Sequence, residues 1–460
     1  MAISQIVTCI QGPPGTGKTT VACNIIRTII KINKNKRFKK HKSALVVAET
    51  NNAIDNIARK LRNKVLFVRL GTTDGIAPDL YDVSLEGQVD RIAQLEARRS
   101  TFQDRNEQTK RNTVLYKDVL DKFDVVLTTC AGSGDKLLEM YSFDFVLVDE
   151  ATYTTETTLL CSLVHGCKHL VMIGDPNQLS PYLAQPRARL PDNDLPDVTD
   201  LSQTLFHRLY KSDLCTRIQL NVQYRMHPEL LKFPSDEFYD NQLISDDSTT
   251  HMPAVIFPWP NQSKPFCFIN TNGIEKMKGS SYCNENEAKL VSDVVDILLN
   301  VKDTDMDLFS KSISPNVQKL SVKDITVLTF YQRQVATIKD TIKARVTVHT
   351  VDGYQGCEND VIVASTVRAN KQGLLGFSED RNRLNVLFTR AKRALIIIGN
   401  KDTLRTSETW RKWLNDSPEI GSKDIEISSD KKINFSWQYD KIYTKSVSGK
   451  KTRQKKKFTY

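Results

Sequence analysis

Gly12-Pro13-Pro14-Gly15-Thr16-Gly17-Lys18-Thr19 fits the spacing G-x-x-x-x-G-K-[ST] of a phosphate-binding loop. The apolar run Ile6–Ile10 before it reads as a buried strand, and Val21–Ile32 after it as an amphipathic helix. Strand, loop and helix in that order are the setting the motif needs. Glycines let backbone N–H groups close round phosphate oxygens, and the start of the helix adds positive potential. Gly12, Pro13, Gly15, Thr16 and Gly17 then form the cradle, and Thr20, in the helix's first turn, is expected to bind the nucleotide with them. Lys18 would reach the β- and γ-phosphates, and Thr19 would offer its hydroxyl to Mg²⁺.

A chain of 460 residues has room for two or three domains that each bury a core. Its 40% hydrophobic and 26% charged content fits a soluble globular protein. No run approaches the roughly eighteen apolar residues of a membrane span, so no membrane partner is expected. The amino terminus has no basic leader and is not expected to be a signal peptide. The nine cysteines include no C-x-x-C pair. That argues against structural zinc and a disulfide framework, and for a reducing, cytoplasmic setting. The net charge of +11 is unevenly spread: residues 441–460 hold eight Lys or Arg and no acid, and Lys31 to Lys42 hold seven. Phosphate-backbone partners suit such charge, although charge runs are also ordinary solvated loops and tails.

Outward from the loop, apolar runs alternate with helical spacing. Strands are expected at Ser43–Ala48, Val65–Leu70, Val125–Thr128, Phe143–Val148 and His169–Ile173, and helices at Ala53–Leu61 and Asp200–Tyr210. Alternation of this kind predicts a parallel sheet covered on both faces, with ligands at the strands' carboxyl ends. Between about 72 and 123 the character changes. Leu85, Val89, Ile92 and Leu95 keep helical spacing amid many charges, which predicts a helical insertion projecting from the parent domain. Pro181–Pro196 reads as loop and 229–280 as irregular. Alternation resumes with strands at Phe266–Asn270, Ile325–Thr329, Val346–Val348, Val361–Thr366 and Ala394–Ile398, and helices at Asn286–Leu299 and Gln332–Ile342. The expected organisation is a first domain over 1–215, a second over 216–440 and a disordered basic tail over 441–460.

Asp149-Glu150 follows the strand Val146-Leu147-Val148, where an acid can approach Mg²⁺. Glu150 could orient an attacking water and accept its proton. Gln178, in Gly174-Asp175-Pro176-Asn177-Gln178-Leu179, is placed to sense a γ-phosphate. Phosphoryl transfer needs further cations against developing charge. The first domain supplies only Lys18 near the loop, so Arg225 and Arg390 are the candidates from the second.

These stretches, with Gln223–Pro228, Val351–Glu358 and Asn382–Lys392, follow one another in the order of the superfamily 1 helicases. The chain resembles their up-frameshift, or regulator-of-nonsense-transcripts, branch, which is related to senataxin. Thr129–Asp135, Val367–Asn370 and Ile396–Asn400 match as well. The resemblance spans about residues 5 to 435. It implies an α/β chain of two tandem RecA-like phosphate-loop domains with parallel sheets and ATP between them. It implies ATP hydrolysis with Mg²⁺ by Lys18, Thr19, Asp149, Glu150, Gln178, Arg225 and Arg390. Tyr224 would stack on adenine, Glu358 would contact ribose, and Asn51 and Thr129 would touch the nucleic-acid backbone. The insertion would be the family's helical protrusion beside the strand channel.

The function implied is a 5′-to-3′ translocase on single-stranded RNA or DNA, with RNA favoured. The family's upstream glutamine motif, small β-barrel and Cys/His-rich domain have no counterpart in the sequence. That opens two alternatives: an ATP-gated clamp or RNP scaffold without productive unwinding, and a chain completed by a protein partner. A GTP switch fits poorly, since no N-K-x-D tetrad is present. The tail Lys450–Lys457 reads equally as a strand grip or a nuclear address.

Overall fold

The computed structural model describes residues 5–33, 41–97, 115–181, 203–212, 214–301, 303–312 and 316–422. The basic tail, the middle of the insertion and most of Pro181–Pro196 lie outside the described residues. The chain divides into two compact units, Met1–Tyr224 and Arg225–Tyr460.

In the first unit seven strands form one sheet: β1 (Val7–Gln11), β2 (Ala44–Ala48), β3 (Phe67–Arg69), β4 (Val125–Thr129), β5 (Phe145–Asp149), β6 (His169–Gly174) and β7 (Thr216–Gln219). Their order is β3-β4-β2-β5-β6-β1-β7, and every pairing is parallel. Short apolar runs form such strands because both faces are buried. Leu45 and Val47 enter one core and Ala44, Val46 and Ala48 the other. Helices α1 (Lys18–Asn33) and α2 (Asn51–Leu61) cover the second of these faces, through Ile26, Ile29, Ile54 and Ile57.

The expected strands lie within a few residues of those observed. Two boundaries are corrected. Thr216–Gln219 pairs with β1, so the first unit runs to Tyr224 and not to 215. Helix α4 (Glu156–Leu163) follows β5, and the helix expected over Asp200–Tyr210 is described only as α5 (Leu205–Lys211), capped by Thr204. The insertion begins as two short 3₁₀ turns and α3 (Leu85–Ala97). Leu85 and Val89 pack into the sheet's core with Val119, Leu120 and Phe123, so the described parts of the insertion are docked and do not project.

Six strands of the second unit form its main sheet: β8 (Phe266–Asn270), β9 (Ile325–Thr329), β10 (Thr347–Thr350), β11 (Asn359–Ser365), β12 (Ala391–Gly399) and β13 (Glu419–Gly421). The order is β10-β9-β11-β12-β8-β13, again parallel throughout. The span read as irregular contains α6 (Pro228–Phe238), which carries Pro234 in its interior. Helices α7 (Glu285–Leu299), α8 (Asp303–Ser312) and α9 (Gln332–Thr341) follow, then α10 (Arg381–Phe388), α11 (Lys401–Leu404) and α12 (Glu408–Asp416). Val291, Val295, Val335 and Ile338 pack on one sheet face. On the other, Trp413 packs against both Phe268 and Phe388. Among the described residues no helix is long and apolar enough to cross a membrane.

Candidate nucleotide site

Strand register brings the first unit's polar residues to one edge of the sheet. Gln11 lies beside Gly174, and Ala48 lies beside both Thr129 and Asp149. Each is the last residue of its strand, so the loops that follow open at the same carboxyl edge.

The phosphate loop leaves β1 at Gly12, whose N–H donates to the Gly174 carbonyl at 2.8 Å. Gly15 and Gly17 have φ of 76° and 81°, the left-handed region that glycine reaches without strain. Thr16 Oγ1 donates to the Pro13 carbonyl at 2.7 Å. The Thr20 and Val21 N–H groups bond the Gly17 carbonyl at 2.8 and 3.0 Å, which starts α1 at Lys18 with Thr19 in its first turn. Lys18 folds back, and its Nζ donates to the Gly12 carbonyl at 2.5 Å. A Cβ on Gly12 would lie 2.2 Å from Lys18 Cγ, so the lysine's path requires glycine there.

Asp149 is buried, and the Glu150 N–H donates to its Oδ1 at 3.0 Å. Burial pushes the Asp149 carboxyl up, opposed first by the Lys18 charge and less by Lys60. A buried carboxylate that is costly to ionise, beside a phosphate cradle, suits a cation. Among the described residues no three His, Cys, Asp or Glu side chains could hold a metal together. A divalent ion would therefore take Thr19, Asp149, phosphate oxygens and water. Glu150 has φ 53°, uncommon for a side chain of its size, and its carbonyl accepts from the Tyr153 N–H at 2.8 Å.

Gln178 is buried beside Asp175, donating from Nε2 to Oδ2 at 2.7 Å. Thr152 Oγ1 and the Asp175 N–H lie 3.2 Å apart, which joins the segment after β5 to that after β6. Tyr224, 56% exposed, is tied to the loop by its backbone, since its N–H donates to the Gly15 carbonyl at 2.9 Å.

Sequence reasoning overlooked Lys60. From α2 its Nζ donates to Thr20 Oγ1 at 3.1 Å, so Lys18 is not the only cation near the loop. No motif marks Lys60; only the packing of α2 against α1 brings it there. Asn51 begins α2 but does not cap it, the cap being Thr50. Asn51 Oδ1 accepts from Arg69 Nη2 at 2.8 Å, and Arg69 is itself buried against Asp55 at 3.0 Å. Thr129 Oγ1 accepts from the Gly132 N–H at 3.0 Å.

In the second unit, Arg225, Glu358, Arg390 and Lys392 form one charged cluster. Arg225 Nε pairs with Glu358 Oε2, and its Nη1 donates to the Thr389 carbonyl at 3.0 Å. Lys392 Nζ reaches Glu358 Oε1 at 3.2 Å. Burial alone would raise the Glu358 carboxyl, but Arg225 and Lys392 hold it below its usual range. The Glu358 carboxylate, expected at a ribose, here anchors Arg225. Arg390 is fully buried, and its Nε and Nη1 bond the Val386 and Cys357 carbonyls at 3.0 and 3.1 Å. Burial, then repulsion from Arg225, pushes its guanidinium down to about 10.

Comparison with known proteins agrees with this layout. A family model described as "AAA domain" matches residues 201–402, and a second of that description matches 1–113 and 90–185. The chain is 32% identical over 436 residues to "Regulator of nonsense transcripts 1 homolog" of Neurospora crassa, covering 89% of this chain and 37% of that protein. It is 33% identical over 436 residues to "ATP-dependent helicase NAM7" of Saccharomyces cerevisiae, with coverages of 89% and 41%. To "Helicase sen1" of Schizosaccharomyces pombe it is 27% identical over 536 residues, covering 93% and 30%. The chain thus spans well under half the length of these relatives. Two parallel α/β units, a phosphate loop with its acidic partner and these matches together place the chain, as a core region, in the up-frameshift branch of the superfamily 1 helicases.

Proposed function

We propose that this chain is an ATP-driven translocase that moves 5′ to 3′ on single-stranded nucleic acid, RNA before DNA, and separates duplexes as it moves. The observation that carries the reading is the single edge at which Asp149 ends β5 and Lys18, Glu150 and Gln178 come after the ends of β1, β5 and β6. Loop N–H groups and Lys18 would bind the phosphates, and Tyr224 the base. Thr19 and Asp149 would hold Mg²⁺, which supplies charge neutralisation across the phosphates when bound. Glu150 takes the proton of the attacking water, and Gln178, braced by Asp175, reports the γ-phosphate. The two arginines of the second unit are assigned to the charge that develops during transfer. Glu358 and the Thr389 carbonyl hold Arg225 for that task, and two backbone carbonyls hold Arg390.

The test is ATP turnover by the whole chain with no strand, with single-stranded RNA and with single-stranded DNA. Turnover should rise at least roughly tenfold with a strand, and Lys18→Ala should remove it. Strand-independent turnover, or a Lys18→Ala variant as active as the parent, would refute the reading.

A further inference from the structure

Arg59 and Lys60 lie in the last turn of α2, and Arg62 is its C-terminal cap residue. The two arginines are matched with acids of the insertion. Arg59 holds both oxygens of Asp79, from Nε and Nη2 at 2.8 Å each, and Arg62 Nη2 meets Asp82 Oδ2 at 2.5 Å. Among the described residues no carboxylate pairs with Lys60, and its Nζ goes instead to Thr20 Oγ1 at 3.1 Å.

Helix periodicity explains the difference. Lys60 stands three residues after Ile57, so the two share a face. That face meets α1: Ile57 packs in one core with Ile26 and Ile29, and its carbonyl accepts from Cys23 Sγ at 4.0 Å. Arg59 and Arg62 are also three apart, and they turn toward the 3₁₀ segment Pro78–Val83. A lysine in the last turn of a helix gains a little from the helix dipole wherever its ammonium points. That gain does not select Thr20 as its partner. Thr20 directly follows Lys18 and Thr19 at the start of α1. The charge of Lys60 is also felt at the site. Burial pushes the Asp149 carboxyl up, and the positive charges that oppose this are Lys18 and then Lys60. Burial likewise pushes the Cys23 thiol up to about 11, and Lys60 is the first charge to oppose it.

In a phosphate loop the backbone N–H groups cradle the α- and β-phosphates, the lysine reaches the β- and γ-phosphates, and the following hydroxyl serves the metal. Thr20 comes after all of these along the chain, past the residues that serve the departing phosphoryl group. A cation held there faces the part of the nucleotide that is not transferred. We propose that Lys60 is a second ammonium of the nucleotide site, held at Thr20 to bind the α-phosphate end of ATP and ADP alike. It rests on the phosphate-loop reading above and deepens it. A contact made equally in ground and transition states tightens binding and leaves the chemical step alone.

The experiment uses the whole chain with Lys60→Met, Lys60→Gln and Lys60→Arg. Two quantities are read: the Kd of ADP with Mg²⁺ by calorimetry, and kcat and KM for ATP with a saturating single strand. Lys60 is exposed, so all three variants should fold, and their thermal midpoints check this. In Lys60→Met the Kd of ADP and the KM of ATP should rise together by roughly three- to tenfold, as for one charge-assisted contact open to solvent. The kcat should stay within about twofold. Lys60→Gln keeps a donor for Thr20 Oγ1 without the charge and should lose as much affinity as Lys60→Met. Lys60→Arg keeps the charge and should stay close to the parent. The gap between the parent and Lys60→Met should narrow as salt rises, because solvent ions screen an exposed charge.

A Lys60→Gln variant that binds ADP as the parent does would reduce Lys60 to a brace for α1 and overturn the proposal. A fall in kcat with unchanged ADP affinity would overturn it too, since Lys60 would then act on the transferred phosphate. Unchanged behaviour of Lys60→Met in a parent that binds ADP and turns over ATP would sink this inference alone. A parent chain that binds neither nucleotide would refute the phosphate-loop reading and this one together.

Discussion

Lys18 shows how much one glycine determines. Its ammonium folds onto the Gly12 carbonyl, and its stem occupies the space a Gly12 side chain would fill. The spacing of the motif is thus a packing constraint as well as a chemical one. Glu150 poses the sharper question at this scale. It follows the buried Asp149 and is turned by a left-handed backbone, so its carboxylate and its neighbour's serve different ends. Glu150→Gln preserves shape and removes the base. Turnover should fall on the order of a hundredfold or more, while nucleotide affinity stays within a few-fold. Equilibrium binding beside steady-state kinetics would check this, and a variant that no longer binds nucleotide would contradict the role.

Elements were legible where burial dictates composition. Strands buried on both faces read as short apolar runs, and β2, β5, β9 and β12 all lie near their expected positions. The edge strand β7 reads Thr-Arg-Ile-Gln and gives no such signal. Helix α6 was hidden by Pro234, whose missing N–H argues against a helix until packing outweighs it. The contact of Glu287 Oε2 with Ser365 Oγ and the Val367 N–H was invisible for another reason: α7 and the end of β11 meet only through space.

Two element-level predictions concern buried charge. Arg69 on β3 and Asp55 on α2 are 0% and 4% exposed, and Asp55 Oδ2 also accepts from the Ala77 N–H at 3.0 Å. Asp55→Ala strands the guanidinium and should cost about 3–5 kcal/mol, measured by denaturant unfolding. Truncation without loss would mean that water reaches Arg69. Burial pushes the Glu287 carboxyl up from 4.5 to about 7, opposed by Ser365 and by the N–H groups of Val367 and Thr366, and aided by the charge of Glu275. Between those two values the folded chain holds a proton that the unfolded chain has lost, so raising pH drains stability. The slope is up to about 1.4 kcal/mol per pH unit. Glu287→Gln removes that slope, so its stability relative to the parent should improve from pH 5 to pH 8. A difference that does not change with pH would contradict the assignment.

At the scale of the molecule, the order of motifs along the chain carried more than any single site. It announced two parallel α/β units, and both are present. The border fell late because the first sheet takes its last strand from Thr216–Gln219, beyond the expected end at 215. What the sequence left open is how a guanidinium is held. Arg225 is fixed by Glu358 and the Thr389 carbonyl, and Arg390 by two backbone carbonyls, none of which a motif reveals. The proposed motor requires that these cations act on nucleotide bound at the phosphate loop. The most direct measurement is ATP turnover and nucleotide affinity of Arg225→Ala in the whole chain, with a saturating single strand. The account predicts that kcat falls on the order of a hundredfold or more while affinity changes by only a few-fold. Turnover equal to the parent's would contradict it.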